Sequence, residues 1–228
     1  SAPVALDRLA SGGEATCALR VPGSEPRDLL VHVRAHAGPL RGKCVALHSR
    51  FTVANRLAVP VVCAFVRDYG RGAARTVAPQ AVASLHRVQP DADARALTLT
   101  VRDHVPLDVP IGAVDTFPVV VRPQPGRSAA PPVFVLVSVD LVDSATRVTV
   151  APIAAREPPF VVVNHLAVPL RIVQTGTKAV FIAHPRRETP FAWASPTQPR
   201  TIDIAGRQID VSRIGRTTRL FSSTSELF

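Results

Sequence analysis

The chain has 228 residues, 46% of them apolar and 19% charged, which is enough apolar surface for a buried core and excludes an intrinsically disordered chain. Its length allows one or two domains. The formal charge of +10 raises nucleic acid or anionic lipid as partners, but the basic residues are dispersed along the chain.

The composition predicts β structure throughout. Valine outnumbers leucine 34 to 18, and 22 prolines with 12 glycines leave little room for long helices. In chain order, the strand-like segments begin with LLVHVRAH (29–36), CVALHSRF (44–51) and FTVANRLAVP (51–60). VVCAFV (61–66) and ALTLTVRD (96–103) follow, before the Pro/Gly-rich stretch VRPQPGRSAAPP (121–132). Beyond it come VFVLVSVDL (133–141), VTVAPIAAREPPF (148–160), FVVVNHLAVP (160–169), LRIVQTGTKAVFIAHP (170–185), PFAWASP (190–196) and TIDIAG (201–206).

Two of these segments repeat each other. FTVANRLAVP and FVVVNHLAVP share seven of ten residues at an offset of 109, and they hold the only two asparagines in the chain, Asn55 and Asn164. The flanking segments correspond in order, with ALTLTVRD taking the place of TIDIAG. The expected architecture is all-β, two tandem β-sandwich-like repeats of about 100–110 residues. The first spans 1–125 and the second 126–228, with the linker at 121–132.

Side chains alternate along a strand, so Phe160, Val162, Asn164, Leu166 and Val168 share one face, as do Phe51, Val53, Asn55, Leu57 and Val59. An asparagine in an apolar row must hydrogen-bond to backbone that the ladder leaves unpaired. Two roles fit it, a polar staple fixing one loop per repeat or a direct part in ligand binding. On the opposite face the first repeat carries Thr52, Ala54 and Arg56, which reads as a solvent face. The second carries Val161, Val163 and His165, so something should cover it, either a neighbouring unit or a partner.

No constellation of residues points to an enzyme, a cofactor or a metal. A GxSxG elbow, a phosphate-binding glycine loop and HExxH are all missing, and the seven histidines show no ligand spacing. His32 and His36, four apart in a strand, do not converge on one ion. The three cysteines, Cys17, Cys44 and Cys63, fit neither a disulfide framework nor a CxxC ribbon and suit a reducing compartment. Only eleven aromatic residues occur, mostly in apolar strand patterns, whereas single-strand readers need aromatics interleaved with basic residues, which argues against nucleic acid. Of the 27 basic residues only Lys43 and Lys178 are lysine; the densest groups are Arg67, Arg71 and Arg75, then Arg186 and Arg187, then Arg213, Arg216 and Arg219. They are read either as solvated loops or as a surface touching acidic lipid or phosphate. The chain begins at Ser1 and has no methionine, which reads as a segment of a longer protein.

The repeated VxNxLAVP, Gln174 ten residues after Asn164, and PFAWASP before TIDIAG together resemble the adaptor-binding domain of the vacuolar protein sorting thirteen family. That region is also called the VAB or SHR-binding domain of these chorein-type bridge-like lipid-transfer proteins. Asn55, Asn164 and Trp193 fall on the signature positions of the family's β repeats, of which this chain resembles the last two. Ala194 and Ser195 stand where family members usually carry acidic residues. The resemblance implies a non-enzymatic docking module in the cytosol, peripheral at organelle membrane contact sites. Its implied partners are adaptors bearing a Pro-X-Pro motif and the rest of a larger lipid-transfer protein. The expected mode is strand addition to an exposed edge, with prolines in apolar depressions and Val161, Val163, Asn164 and His165 at the groove. The alternative is an arginine-rich module contacting anionic membrane. The linker itself contains a Pro-X-Pro string, Pro123-Gln124-Pro125, read as coincidence or as a ligand for the groove, in cis or from a neighbouring molecule.

Overall fold

The computed structural model describes residues 14–19, 27–35, 43–66, 74–85, 95–126, 131–142, 145–154 and 157–211, with side-chain environments from His48 onward. Arg67, Arg71, Arg213, Arg216, Arg219 and His36, together with the side chains of Cys17, His32, Lys43 and Cys44, lie outside the described residues. The chain is all-β, in tandem sandwich-like repeats, and no described helix is long and apolar enough to cross a membrane.

The first repeat contributes β1 (Glu14–Leu19), β2 (Arg27–Ala35), β3 (Lys43–Ser49), β4 (Phe51–Asn55), β5 (Val61–Phe65), β6 (Arg75–Val77), β7 (Val82–Leu85), β8 (Ala96–Val101) and β9 (Leu107–Pro110). The second contributes β10 (Asp115–Val121), β11 (Val133–Val142), β12 (Ala145–Pro152), β13 (Phe160–Asn164), β14 (Leu170–Gln174), β15 (Val180–Ala183), β16 (Arg187–Phe191), β17 (Thr201–Ile204) and β18 (Arg207–Asp210). Each strand of the first set has a counterpart in the second. The sheet β6-β5-β8-β9 has the same order as β15-β14-β17-β18, and β4 pairs β7 antiparallel as β13 pairs β16. Even the turns agree. Gln80 and Arg186, each following a proline, hold φ of 57° and 52° before β7 and β16. This is left-handed backbone that non-glycine residues adopt only when the surrounding turn requires it.

The repeats interlock instead of standing side by side. The meander β10-β11-β12 joins the first repeat's β4-β7 ribbon in one five-stranded sheet, through a parallel ladder from Thr146↔Phe51 to Val150↔Asn55. The counterpart meander β1-β2-β3 stands as a separate three-stranded sheet. The boundary placed at 125/126 in the sequence therefore falls between β10 and β11, two paired strands of one sheet, and β10, which precedes it, belongs with the second repeat as the counterpart of β1.

Valine alternation builds the core. On β11, Val135, Val137 and Val139 are buried, facing Val148 and Val150 of β12 and Val53 of β4 across one continuous cluster. The second layer supplies Val61, Cys63, Phe65, Leu97 and Leu99, and Phe51 meets Phe65 edge to face at 5.1 Å, joining the two sheets. Ala54, expected on a solvent face, is instead buried at 1%. It lies on an interior strand, flanked in register by Thr149 and Val82, and its methyl group is too short to reach above those neighbours. Cys63 is buried and unpaired, and burial pushes its thiol from 9.0 up to about 12 against the weaker opposing pull of Arg75. It is thus a small core residue and unreactive at neutral pH.

Candidate functional site

Both asparagines are staples. Asn55 is fully buried; its Nδ2 donates to the carbonyls of Val59 (2.8 Å), Val77 (3.1 Å) and Ala78 (3.1 Å), while its Oδ1 accepts from the Leu57 N–H (2.9 Å). Asn164, 1% exposed, donates to Val168 (2.8 Å) and Ala183 (2.9 Å) and accepts from Leu166 N–H (3.0 Å). One amide thus closes the loop after its own strand and ties it to the neighbouring strand of the other sheet. The strand leaves those backbone groups unpaired as it turns, and a side chain with both a donor and an acceptor satisfies them together.

Gln174 plays a similar part where the first repeat has Phe65, 109 residues earlier. Fully buried, it accepts from the N–H groups of Ala194 (2.8 Å) and Ser195 (2.9 Å) and donates to the carbonyls of Ser195 (2.8 Å) and Pro199 (3.2 Å). It thereby fixes the segment after Trp193. That tryptophan, 3% exposed, packs edge to face on Phe160 (5.7 Å) and Phe191 (5.3 Å), and its backbone bonds to Pro118 and Val120 on the outer side of β10. Gln174→Leu should cost about 2–4 kcal/mol in urea unfolding, because buried N–H and C=O groups lose their partners. Since Trp193 is the only tryptophan, a red shift of its emission would report the loosening directly; unchanged stability and emission would contradict the assigned role.

Above Asn164 lies an exposed apolar surface. Val161 and Val163 are 46% and 49% exposed, and His165 is also exposed. The apolar row that carries Asn164 is only partly buried: Phe160 is 37% and Leu166 49% exposed, against 5% and 4% for Phe51 and Leu57 at the same places in the first repeat. The cause is topological. β4 lies between β7 and β12, whereas β13 is paired with β16 alone, so its other edge has no strand beside it among the described residues. The sequence placed Phe160 and Leu166 by alternation, which assigns a face but cannot say whether a further sheet covers it.

The bonding of β4 gives the chemistry of that open edge. Asn55 N–H goes to Ala81 on the β7 side and Arg56 N–H to Val150 on the β12 side. Backbone donors alternate sides along a strand. At the offset of 109, the N–H groups of Val161, Val163 and His165 face the open edge. Val161, Val163 and His165 thus present side chains outward and donors sideways, while Asn164 works beneath them on the loop.

The linker string does not reach this edge. Gln124 N–H donates to Asp103 at 2.9 Å and its Nε2 to the His104 carbonyl at 3.2 Å, seating Pro123-Gln124-Pro125 against the turn between β8 and β9. Arg122 beside it donates to the Val180 carbonyl (2.7 Å) and lies 4.6 Å over the Phe181 ring, and partial burial holds its guanidinium below its ordinary value. Among the described residues no group of histidine, cysteine and acidic side chains is placed to hold a metal ion. No family model matches the chain, and no curated protein matches it.

Proposed function

We propose that this chain is a non-enzymatic docking module that receives an extended Pro-X-Pro segment of an adaptor as an added strand on β13. In the cytosol, this would hold a larger lipid-transfer protein at an organelle contact site. The observation carrying the reading is the unpaired edge of β13, at the position where β4 already accepts a parallel strand.

That internal strand explains why prolines two apart suit such an edge. Thr146 N–H donates to Arg50 and Val150 accepts from Arg56, so Thr146, Val148 and Val150 make the bonds to β4. Arg147 and Thr149 point their N–H groups the other way. A guest strand in the same register therefore needs no N–H at the places of Arg147 and Thr149, and proline, which lacks that donor, fits both. Those places stand in register with Thr52 and Ala54, hence with Val161 and Val163 in the second repeat. The two proline rings then lie beside two exposed valines. The fixed φ of proline also lowers the ordering cost of an extended guest.

The test is titration of the chain with a fluorescent Pro-X-Pro peptide at two salt concentrations, with a proline-to-alanine control. The expected result is saturable binding, little altered by salt and lost in the control. Binding that survives the control and collapses with salt would assign the surface to the arginines and anionic lipid instead, and absence of binding would overturn the reading.

A further inference from the structure

We infer that a cavity at the seam between the repeats is a binding site for a small apolar monocarboxylate, a free acid of about the size of benzoate, with Arg122 as the partner of its carboxylate. The end of β10 is held from both sides. Val105 N–H, in the first repeat, donates to the Arg122 carbonyl (2.8 Å), and Val120 N–H donates to the Trp193 carbonyl (2.9 Å) in the second. Beside this strand end lies a cavity of about 140 Å³, lined by Val105, Leu107, Val120, Ala179 and Ala194, with Arg122 as the one charged residue on its wall. Two of the lining residues are alanines, whose methyl groups are too short to fill the gap. An apolar cavity of about 150 Å³ takes up benzene, so this one admits a single ring or branched alkyl group and nothing longer. Such a space, mostly apolar with one polar group to orient the occupant, is the ordinary form of a small-molecule site.

The charge decides the chemistry of the occupant. A guanidinium offers five N–H donors, and among the described residues Arg122 makes one hydrogen bond, from Nη2 to the Val180 carbonyl (2.7 Å). The Phe181 ring beneath it, 4.6 Å from Cζ, steadies the group without supplying a full negative charge. Arg200 is the opposite case. It is exposed, yet both oxygens of Asp115 answer it, at 3.0 and 2.8 Å. Arg122 is half-buried and no described carboxylate pairs with it, which leaves burial as the cause that lowers its pKa. A cation withdrawn from water without a counter-charge is costly, and an incoming carboxylate offsets that cost where a hydrocarbon or an amine does not. The site is independent of the docking reading, because none of its residues belongs to β13.

Titration of the 228-residue chain with benzoate, followed by ligand-detected NMR, tests this, with benzamide and acetate as controls. Benzoate should bind saturably and at least about tenfold more tightly than benzamide, which has the ring without the charge. It should exceed acetate, which has the charge without the ring, by about the same factor. Arg122→Gln should bring benzoate down to the level of benzamide. Because that variant also loses the bond to Val180, Val105→Phe and Ala179→Leu provide the second arm: they fill the cavity, keep the guanidinium, and should abolish benzoate binding in a chain that still unfolds cooperatively in urea. Equal affinity for benzoate and acetate would overturn the inference, as the mark of anions gathering at exposed arginines. Benzoate binding that survives both cavity-filling variants would overturn it as well. A peptide ending in phenylalanine that binds this chain when benzoate does not would overturn the assignment to a free acid. Failure of Pro-X-Pro binding would leave this site standing, and absence of benzoate binding would remove it while leaving the docking function untouched.

Discussion

Val163→Asp should lower affinity for a Pro-X-Pro peptide at least tenfold, about 1.4 kcal/mol, while leaving the fold intact. The side chain is 49% exposed, so its replacement opens no core cavity, and the cost to stability is confined to strand preference, under about 1 kcal/mol. Binding suffers far more. A proline ring laid beside position 163 would strip water from the new carboxylate without offering it a hydrogen-bond donor. The same substitution at the first-repeat counterpart, Ala54→Asp, should behave in the opposite way. Ala54 is 1% exposed, and an unpaired carboxylate there should unfold the chain. The check is thermal melting of both variants alongside peptide titration of Val163→Asp. Unchanged peptide affinity in the folded Val163→Asp variant would refute placement of the groove on β13.

Asn55→Ala should destabilise the chain by about 3–5 kcal/mol, and Asn164→Ala by about 1–3 kcal/mol. Three carbonyls and one N–H lose their partner at Asn55. The layers around that site are complete, so water reaches these groups poorly. At Asn164 two carbonyls and one N–H are released, but the N–H that donates to its Oδ1 belongs to Leu166, which is 49% exposed, so solvent can replace part of what the amide supplied. Against a total of about 5–15 kcal/mol for an ordinary domain, the first loss approaches unfolding. Urea denaturation of the two variants gives the comparison directly, and equal losses would contradict the difference in cover between the repeats.

The repeat and the strand-forming segments are readable from residues because they depend on local periodicity. A shared decapeptide at an offset of 109 and valine alternation in VFVLVSVDL suffice to place β4, β13 and β11. The asparagine is legible for a related reason. An amide in an apolar row has to be paired, and the groups nearest to hand are those of its own loop. The failures have one source. Alternation puts Ala54 on the face expected to meet solvent and Phe160 and Leu166 in the row of Asn164, but it fixes only which face a side chain takes and says nothing of what lies across or beside that face.

Gln174 shows the intermediate case. Its position ten residues after Asn164 was noticeable in the sequence, but its bonds run to Ala194, Ser195 and Pro199, twenty or more residues away. A donor and acceptor pair invites partners; only folding names them.

By itself, then, the sequence determined that this chain is all-β, that it contains one unit twice, and that one polar side chain in each unit is held within an apolar row. These properties follow from side-chain period and from the cost of burying an unpaired amide, both of which act over a few residues. Tertiary structure decided that the units share a sheet, that β4 is enclosed while β13 keeps an open edge, and that nearly identical decapeptides meet opposite surroundings. Strand pairing across the chain is long-range, so which edge is filled depends on the strand that arrives beside it.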